Sequence, residues 1–272
     1  MQSPSEDKTA GLRPLKWYRS LATRKGRLDA GAFLVEGERA IRQILDGSPG
    51  QILEIVSTAE PGFPLQGHPS RMVSERQMES ICSTRTPQGV LAVVRLPMET
   101  YSDELPDDIG DRILLLEDVQ DPGNVGTLIR TAAAFGFSGV VLTLNCADPM
   151  APKCVQSSAG AVLSLWLRRT AQYLDLVTDL KGRGYRIVAA DLDGVEDTSV
   201  LRTSEGLLLA LGNEGGGLSD ALLAMASHRL RIATERRRAE SLNVAACGAI
   251  CMYLSREGGE TTWTQSTLER PT

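Results

Sequence analysis

The chain reads as an α/β protein: a largely parallel sheet in its C-terminal half, preceded by a smaller α/β layer. Three observations predict this. From residue 112 onward, apolar runs such as ILLLEDV (113–119), GVVLT (139–143) and GLLLALG (206–212) alternate with helical patterns. Runs that are apolar at nearly every position suit strands buried on both faces, as in parallel sheets. Before residue 97 the alternation recurs in shorter, more mixed segments. Between the halves lies PMETYSDELPDDIGD (97–111), acidic and turn-rich, which reads as a linker with little to bury.

Element by element, the front part predicts a helix over 12–22, a basic turn at 24–27 and an amphipathic helix over 38–45 closed by Gly47. A strand over 51–57, a short helix over 75–82 and an apolar strand over 89–96 follow. The second part predicts strands over 113–119, 139–143, 185–191 and 206–212, with a short fifth over 230–233. Helices over 126–135, 174–181, 219–226 and 242–254 separate or follow them. The expected organisation is a front domain (1–97), a linker (98–111), the parallel-sheet domain (112–256) and a polar tail (257–272).

A chain of 272 residues can bury two real cores, and 42% apolar with 23% charged residues is globular composition. Five scattered cysteines form no CxxC pair, and His68 and His228 are the only histidines. A zinc site or Cys–His nucleophile therefore has little material, and no metal is expected. The cysteines read as thiols of a reducing compartment. The first residues hold no apolar core of signal length, and no stretch reaches membrane-spanning length, so a cytoplasmic protein without a membrane partner is expected. The net charge of −5 conceals an asymmetry: residues 8–42 carry nine Lys/Arg against Asp29, Glu36 and Glu38. A basic arm on an acidic body serves a localised phosphate contact or is a solvated helix face, and charge alone does not choose.

Three segments carry chemistry: NVGTLIR (124–130), LGNEGGG (211–217) and ESLN (240–243). Each lies where an apolar run meets a loop or a helix start, the place where open α/β sheets bind ligands. Asn124 follows a Pro-Gly turn and reads as a helix N-cap or a functional amide. Arg130 sits among Leu128, Ile129 and Ala132 to Ala134, and an arginine on so apolar a helix needs a phosphate or carboxylate partner. The glycines after Leu211 let backbone approach a ligand closely, but the run lacks both GxGxxG and GK[ST], so neither a dinucleotide nor a triphosphate is the obvious guest. Glu214 suits a cationic or hydroxyl-bearing ligand. Ser241 is a candidate cap for the last helix, which places Asn243 in its first turn beside small residues that permit close helix contact.

NVGTLIRTAAAFG, LALGNEGGGLS and ESLNVAACGAI resemble, in order and spacing, the three motifs of the SpoU/TrmH branch of the SPOUT RNA methyltransferases. The match covers roughly 112–254. KWYRSLATRKGR, FLVEGERAI and TPQGVLAVV are more weakly similar to the substrate-binding domain that precedes many such enzymes.

The resemblance implies a deep trefoil knot, S-adenosyl-L-methionine held in that knot, a homodimer, and methylation of ribose 2′-hydroxyls in ribosomal or transfer RNA, with ribosomal RNA favoured. By motif position Arg130 and Asn124 would be catalytic, with Glu214, Ser241 and Asn243 completing the site. Gly212, Ile232 and Leu242 would contact the cofactor, with Leu211, Asn213 and Gly215 beside them and Ala190 and Asp191 at a neighbouring strand end. The RNA contacts would come from Arg13, Lys16, Arg24, Lys25 and Arg27 in the basic arm. Arg236, Arg237 and Arg238 would add to them, in a segment (ATERRRAE) where relatives tend to carry a small or polar turn. Arginine scarcely ever gives up its proton, so Arg130 is better assigned to orienting a phosphate and stabilising a developing alkoxide than to acting as a base. The competing readings are a non-catalytic RNA-binding or ribosome-assembly factor on the same fold, a tRNA 2′-O-methyltransferase, and a nucleotide-cofactor oxidoreductase, the last disfavoured by the missing GxGxxG.

Overall fold

The computed structural model describes residues 13–84, 86–235 and 241–256. The front part runs α1 (Leu15–Ser20), α2 (Arg24–Ala30), β1 (Ala32–Glu36), α3 (Glu38–Gly47), β2 (Ile52–Ser57), β3 (Ser70–Met72), α4 (Glu75–Ile81) and β4 (Val90–Arg95). The second part runs β5 (Arg112–Leu116), α5 (Pro122–Ala134), β6 (Gly139–Thr143), α6 (Pro152–Ser158), β7 (Trp166–Thr170), α7 (Tyr173–Gly182) and β8 (Arg186–Val195). It continues through β9 (Leu207–Leu211), α8 (Asp220–Met225), β10 (His228–Leu230) and α9 (Val244–Leu254).

Four front strands pair in the order β1-β4-β2-β3, antiparallel except for β2 with β3. Six strands of the second part pair in the order β10-β8-β9-β5-β6-β7, every pair parallel. The expected parallel sheet is therefore present, with one strand more than the five read from sequence. The additional strand is β7. Its sequence, WLRRT, breaks the apolar pattern with two arginines whose side chains bond backbone carbonyls: Arg168 to Glu104 O, and Arg169 to the Leu144 and Cys146 carbonyls.

The apolar runs alternate between two cores. In β5, Leu114 and Leu116 face a cluster built with α5, α6 and α9, while Ile113 and Leu115 face α7 and α8. In β9, Leu207, Leu209 and Leu211 share the first cluster, and Leu208 and Ala210 the second. A strand buried on both faces has no polar side to show, which is why these runs read as continuous. The first cluster continues into the front sheet through Phe33, Val35, Ala92 and Val94, and into α3 through Ile41, so both sheets meet across one core. Tyr18, Leu34, Leu91 and Val93 line the other face of the front sheet with α1 and α4.

Several local expectations need correction. Residues 24–27 are not a turn but the start of α2, capped by the Thr23 side chain accepting from Gly26 N. Strands β1 and β3 and helix α6 are additional. AFLVE is buried on both faces: Phe33 and Val35 on one side, Ala32 and Leu34 on the other. Nor does the 97–111 segment have little to bury. Thr100 is 2% exposed, and Leu105 and Ile109 pack against the α7/α8 core. Trp166 Nε1 donates to Ile109 O and Thr170 Oγ1 to Asp103. β7 is an edge strand, and this segment covers it. No helix among the described residues is long and apolar enough to cross a membrane.

Candidate active site

The sheet order reverses between β5 and β9: the chain runs from β5 outward through β6 and β7, then returns on the other side as β8, β9 and β10. Such a switch point opens a crevice at the C-terminal strand ends. Asp118 follows β5 there in a left-handed conformation (φ 57°), unusual for a residue with a side chain. Its carboxylate accepts from Thr143 Oγ1 (2.6 Å) and Asn145 Nδ2 (3.0 Å), and its carbonyl accepts from Asn213 Nδ2 (2.8 Å).

Asn213 organises the loop after β9. Its Oδ1 accepts from Gly215 N (2.8 Å) and Gly216 N (3.2 Å), while its backbone pairs with Gly217. A Cβ on Gly212 would stand 2.3 Å from the Gly217 backbone, so only glycine lets the loop close here. The result is a tight turn that presents Glu214.

Asn124 does not cap α5; Asp121 does, its side chain accepting from Asn124 N at 2.9 Å, with Pro122 in the first helical position. That backbone bond, with Lys153 nearby, holds the Asp121 carboxyl below its usual range. The Asn124 amide is thereby left to reach across to the β9 loop, where Nδ2 donates to Glu214 Oε1 at 2.5 Å. Likewise Ser241 does not cap α9; Asn243 does, its Oδ1 accepting from Ala245 N and Ala246 N. The Nδ2 of the same amide donates to Glu214 Oε1 (3.0 Å) and Asn124 Oδ1 (3.2 Å). One residue from each of the three motifs therefore meets in a single hydrogen-bonded cluster.

Beside it opens a cleft of about 300 Å³. All eight residues expected to hold a cofactor line it: Ala190, Asp191, Leu211, Gly212, Asn213, Gly215, Ile232 and Leu242. Glu214 and Ser241 stand at it too. Asp191 is engaged with the Arg229 guanidinium and with Asp193 N. Leu230, Val244 and Cys247 complete the apolar wall, positions the sequence did not single out. Arg130 is exposed on α5 and has no hydrogen-bond or ion-pair partner among the described residues. No group of three or more metal-binding side chains occurs among the described residues.

The basic arm divides. Lys16, Arg24 and Lys25 are exposed, Arg24 over the Tyr101 ring at 5.1 Å, and Arg13 stacks on Trp17 at 4.0 Å. Arg27 is not an RNA contact. It is 2% exposed, paired with Asp148 at 2.7 Å and bonded to the Leu21 and Ala22 carbonyls. Arg236, Arg237, Arg238 and Glu240 lie outside the described residues, as do 257–272.

Residues 111–253 match the SpoU rRNA methylase family. The chain belongs to that family. Residues 14–92 match the MRM3-like substrate binding domain. Among relatives of the SpoU chain, the 23S rRNA (guanosine(2553)-2′-O)-methyltransferase RlmP of Bacillus subtilis is 34% identical over 244 residues, covering 88% of this chain and 94% of that one. A TrmH-family RNA methyltransferase structure from Porphyromonas gingivalis superposes with a TM-score of 0.76 at 33% identity, over 91% and 99% of the two chains. The SpoU methyltransferase AviRb of Streptomyces viridochromogenes, solved in complex with AdoMet, gives 0.74 at 26% identity over 89% and 96%.

Proposed function

We propose that this SpoU-family chain is an S-adenosylmethionine-dependent 2′-O-ribose methyltransferase acting on large-subunit ribosomal RNA. The observation that carries the reading is the Asn124–Glu214–Asn243 cluster at the rim of the switch-point cleft. The 2′-O-methyltransferase names of the relatives support the reaction and the substrate class. The cleft suits the cofactor: apolar walls from Leu211, Leu230, Ile232, Leu242 and Val244, and a glycine floor at Gly212 that brings backbone within reach.

Bound there, S-adenosylmethionine supplies a sulfonium methyl group. The rest falls to the chain. Methyl transfer needs in-line approach of an oxygen, so positioning supplies much of the acceleration. Arg130, exposed and without a partner among the described residues, holds an RNA phosphate and stabilises charge developing at the 2′-oxygen. Glu214 receives both amides on Oε1, which fixes the carboxylate and leaves Oε2 as an acceptor for the ribose hydroxyl.

The finer features belong to the same proposal. The front domain is 1–97, the linker 98–111 and the catalytic domain 112–256, supported by the two sheets and the two family matches. The segment after β10 is threaded as a trefoil knot, supported by residues 230–232, 234, 241, 242 and 244 lining one cleft with 190–193 and 211–218. The chain works as a homodimer through the outer face of α9, where Ile250 and Tyr253 are 37% and 59% exposed and Phe135 packs edge-on to Tyr253. It is cytoplasmic, a reading supported by five free cysteines.

The test is transfer of labelled methyl from S-adenosylmethionine to unmodified ribosomal RNA and to transfer RNA, with Arg130→Ala in parallel. Label in ribosomal RNA that protects the adjacent phosphodiester from alkali, lost in the variant while cofactor affinity persists, is the expected result. Unchanged turnover in the variant refutes the role of Arg130, and absence of transfer to either RNA refutes the activity.

A further inference from the structure

A groove of about 770 Å³ runs between the two sheets, apart from the cofactor cleft. Its front wall is the end of β1 and the start of α3, with Glu36 and Arg39, together with the hydroxyls and amide of the loop before β4. Its back wall is α6, with Lys153 and Gln156, and it ends on Pro122, the first residue of α5. Two residues further along that helix is Asn124, and eight further is Arg130.

Positive charge is in excess in this groove. Glu36 is its one carboxylate among the lining residues, and it is saturated. Oε1 accepts from Ser83 N and Ser83 Oγ, both at 2.7 Å, and Oε2 from Thr84 N (3.3 Å) and Thr84 Oγ1 (2.7 Å). Four donors stabilise that charge and leave neither oxygen bare, and against it the groove sets the two cations Arg39 and Lys153. Arg39 is exposed with no hydrogen-bond or ion-pair partner among the described residues, whereas Arg42, one turn on, is committed to Glu38. Lys153 is 64% exposed and, among the described residues, holds only a long contact of 3.6 Å to Asp121. Available positive charge thus stands on both walls, with Gln88 and Gln156 as amides between.

We infer that this groove is the track along which the RNA strand next to the target nucleotide passes, with Arg39 and Lys153 gripping its phosphates on opposite walls. The inference rests on the proposed activity and adds the route by which substrate reaches α5. An RNA backbone is the occupant favoured over an acidic peptide. Cations on opposite walls separated by uncharged hydroxyls and amides match a repeating phosphate with sugar and base edges between.

The experiment measures binding of an unmodified ribosomal RNA fragment to the full chain across a salt series, for Arg39→Gln, Lys153→Gln and the pair. Arg183→Glu on α7, on the opposite side of the parallel sheet, is the control. Each neutralisation is expected to flatten the slope of log Kd against log salt by about 0.7, as for a single-stranded phosphate contact, and to raise the RNA KM severalfold. Cofactor affinity, measured by calorimetry without RNA, stays at the wild-type value and reports an intact fold. Slopes equal to wild type in both variants overturn the inference, and so does an equal loss in the Arg183→Glu control. If the wild type methylates ribosomal RNA while the variants match it, only the groove assignment falls. If the wild type transfers no methyl group, the activity falls, and the slopes still decide the groove. Salt-independent binding by every form overturns the track, since no phosphate is then gripped.

Discussion

Arg27 and Asp148 lie 121 residues apart in sequence and 2.7 Å apart in space, joining the front helices to the loop that follows β6. The guanidinium is buried and also satisfies the Leu21 and Ala22 carbonyls. Asp148 in turn accepts from Tyr101 OH and from Met150 N. This pair, with the shared apolar core, fixes the front part of the chain against the parallel sheet.

Arg27→Met should therefore behave as a structural lesion and not as a lost RNA contact. Removing one partner of a buried pair leaves the other uncompensated, a cost of about 3–5 kcal/mol when burial is complete and toward the lower end here, since Asp148 keeps 11% exposure. Denaturant unfolding should show that loss, while the salt slope of RNA binding by the remaining folded protein stays at the wild-type value. A flattened slope with unchanged stability would return Arg27 to the RNA surface.

Asn243 does two jobs with one amide, and substitution can separate them. Its oxygen caps α9 and its nitrogen holds Glu214 and Asn124. Serine keeps a capping oxygen but has no amide donor, so Asn243→Ser should stay within about 0.5 kcal/mol of wild type and lose most methyl transfer. Asn243→Ala should lose the same activity and a further ~1 kcal/mol of stability. Paired thermal melts and turnover assays distinguish them. Activity retained in the serine variant would show that only the cap matters.

How much of this was legible in the sequence depends on the kind of signal. The strand ends and glycine loop were readable because continuous apolar runs and a glycine cluster have few structural explanations. The three motifs consequently fell at one crevice. The caps were misplaced for a simpler reason: DPGN offers both Asp121 and Asn124, and SLN offers both Ser241 and Asn243. A proline prefers the first helical position, which makes Asp121 the cap and leaves the Asn124 amide to the site. Charge was the poorest guide. Nothing in a sequence separates buried Arg27 from exposed Lys16, or Glu36, bonded on both oxygens, from Glu214, bonded on one, because partners distant in sequence decide it. β7 was hidden likewise, its arginines being paid for by carbonyls of the segment before β5 and the loop after β6.

Gly126 sets how closely α5 approaches α6. A Cβ there would lie 2.4 Å from Cys154 O and 2.7 Å from Ser157 Cβ, and a backbone oxygen cannot swing aside as a side chain could. Gly126→Ala should therefore separate the helices and cost about 1–3 kcal/mol despite the better helix propensity of alanine. Because Asn124 and Arg130 ride on α5, turnover should fall further than cofactor affinity. A variant as stable as wild type would mean that the helices part without strain.

Alkaline pH should probe the Tyr101–Asp148 contact directly. Burial, and then the Asp148 carboxylate beside it, push the Tyr101 hydroxyl up from its usual 10 to about 12. The folded protein therefore keeps this proton through a range in which the unfolded chain has released it. Stability from the contact is fully present below pH 10 and is lost as pH rises toward 12. Cys82 and Cys154, also pushed up to about 12 chiefly by burial, add to the decline from pH 9 upward. Tyr101→Phe lacks both the hydrogen bond and the titration. At pH 8 it should be less stable than wild type by about 1 kcal/mol. The gap should close and then reverse in sign between pH 10 and 12, because only the wild type has a phenol to ionise and a shift of that size outweighs the hydrogen bond. Guanidinium midpoints of the two proteins across that range test this, and a gap that stays constant would mean the hydroxyl titrates alike in the folded and unfolded chains.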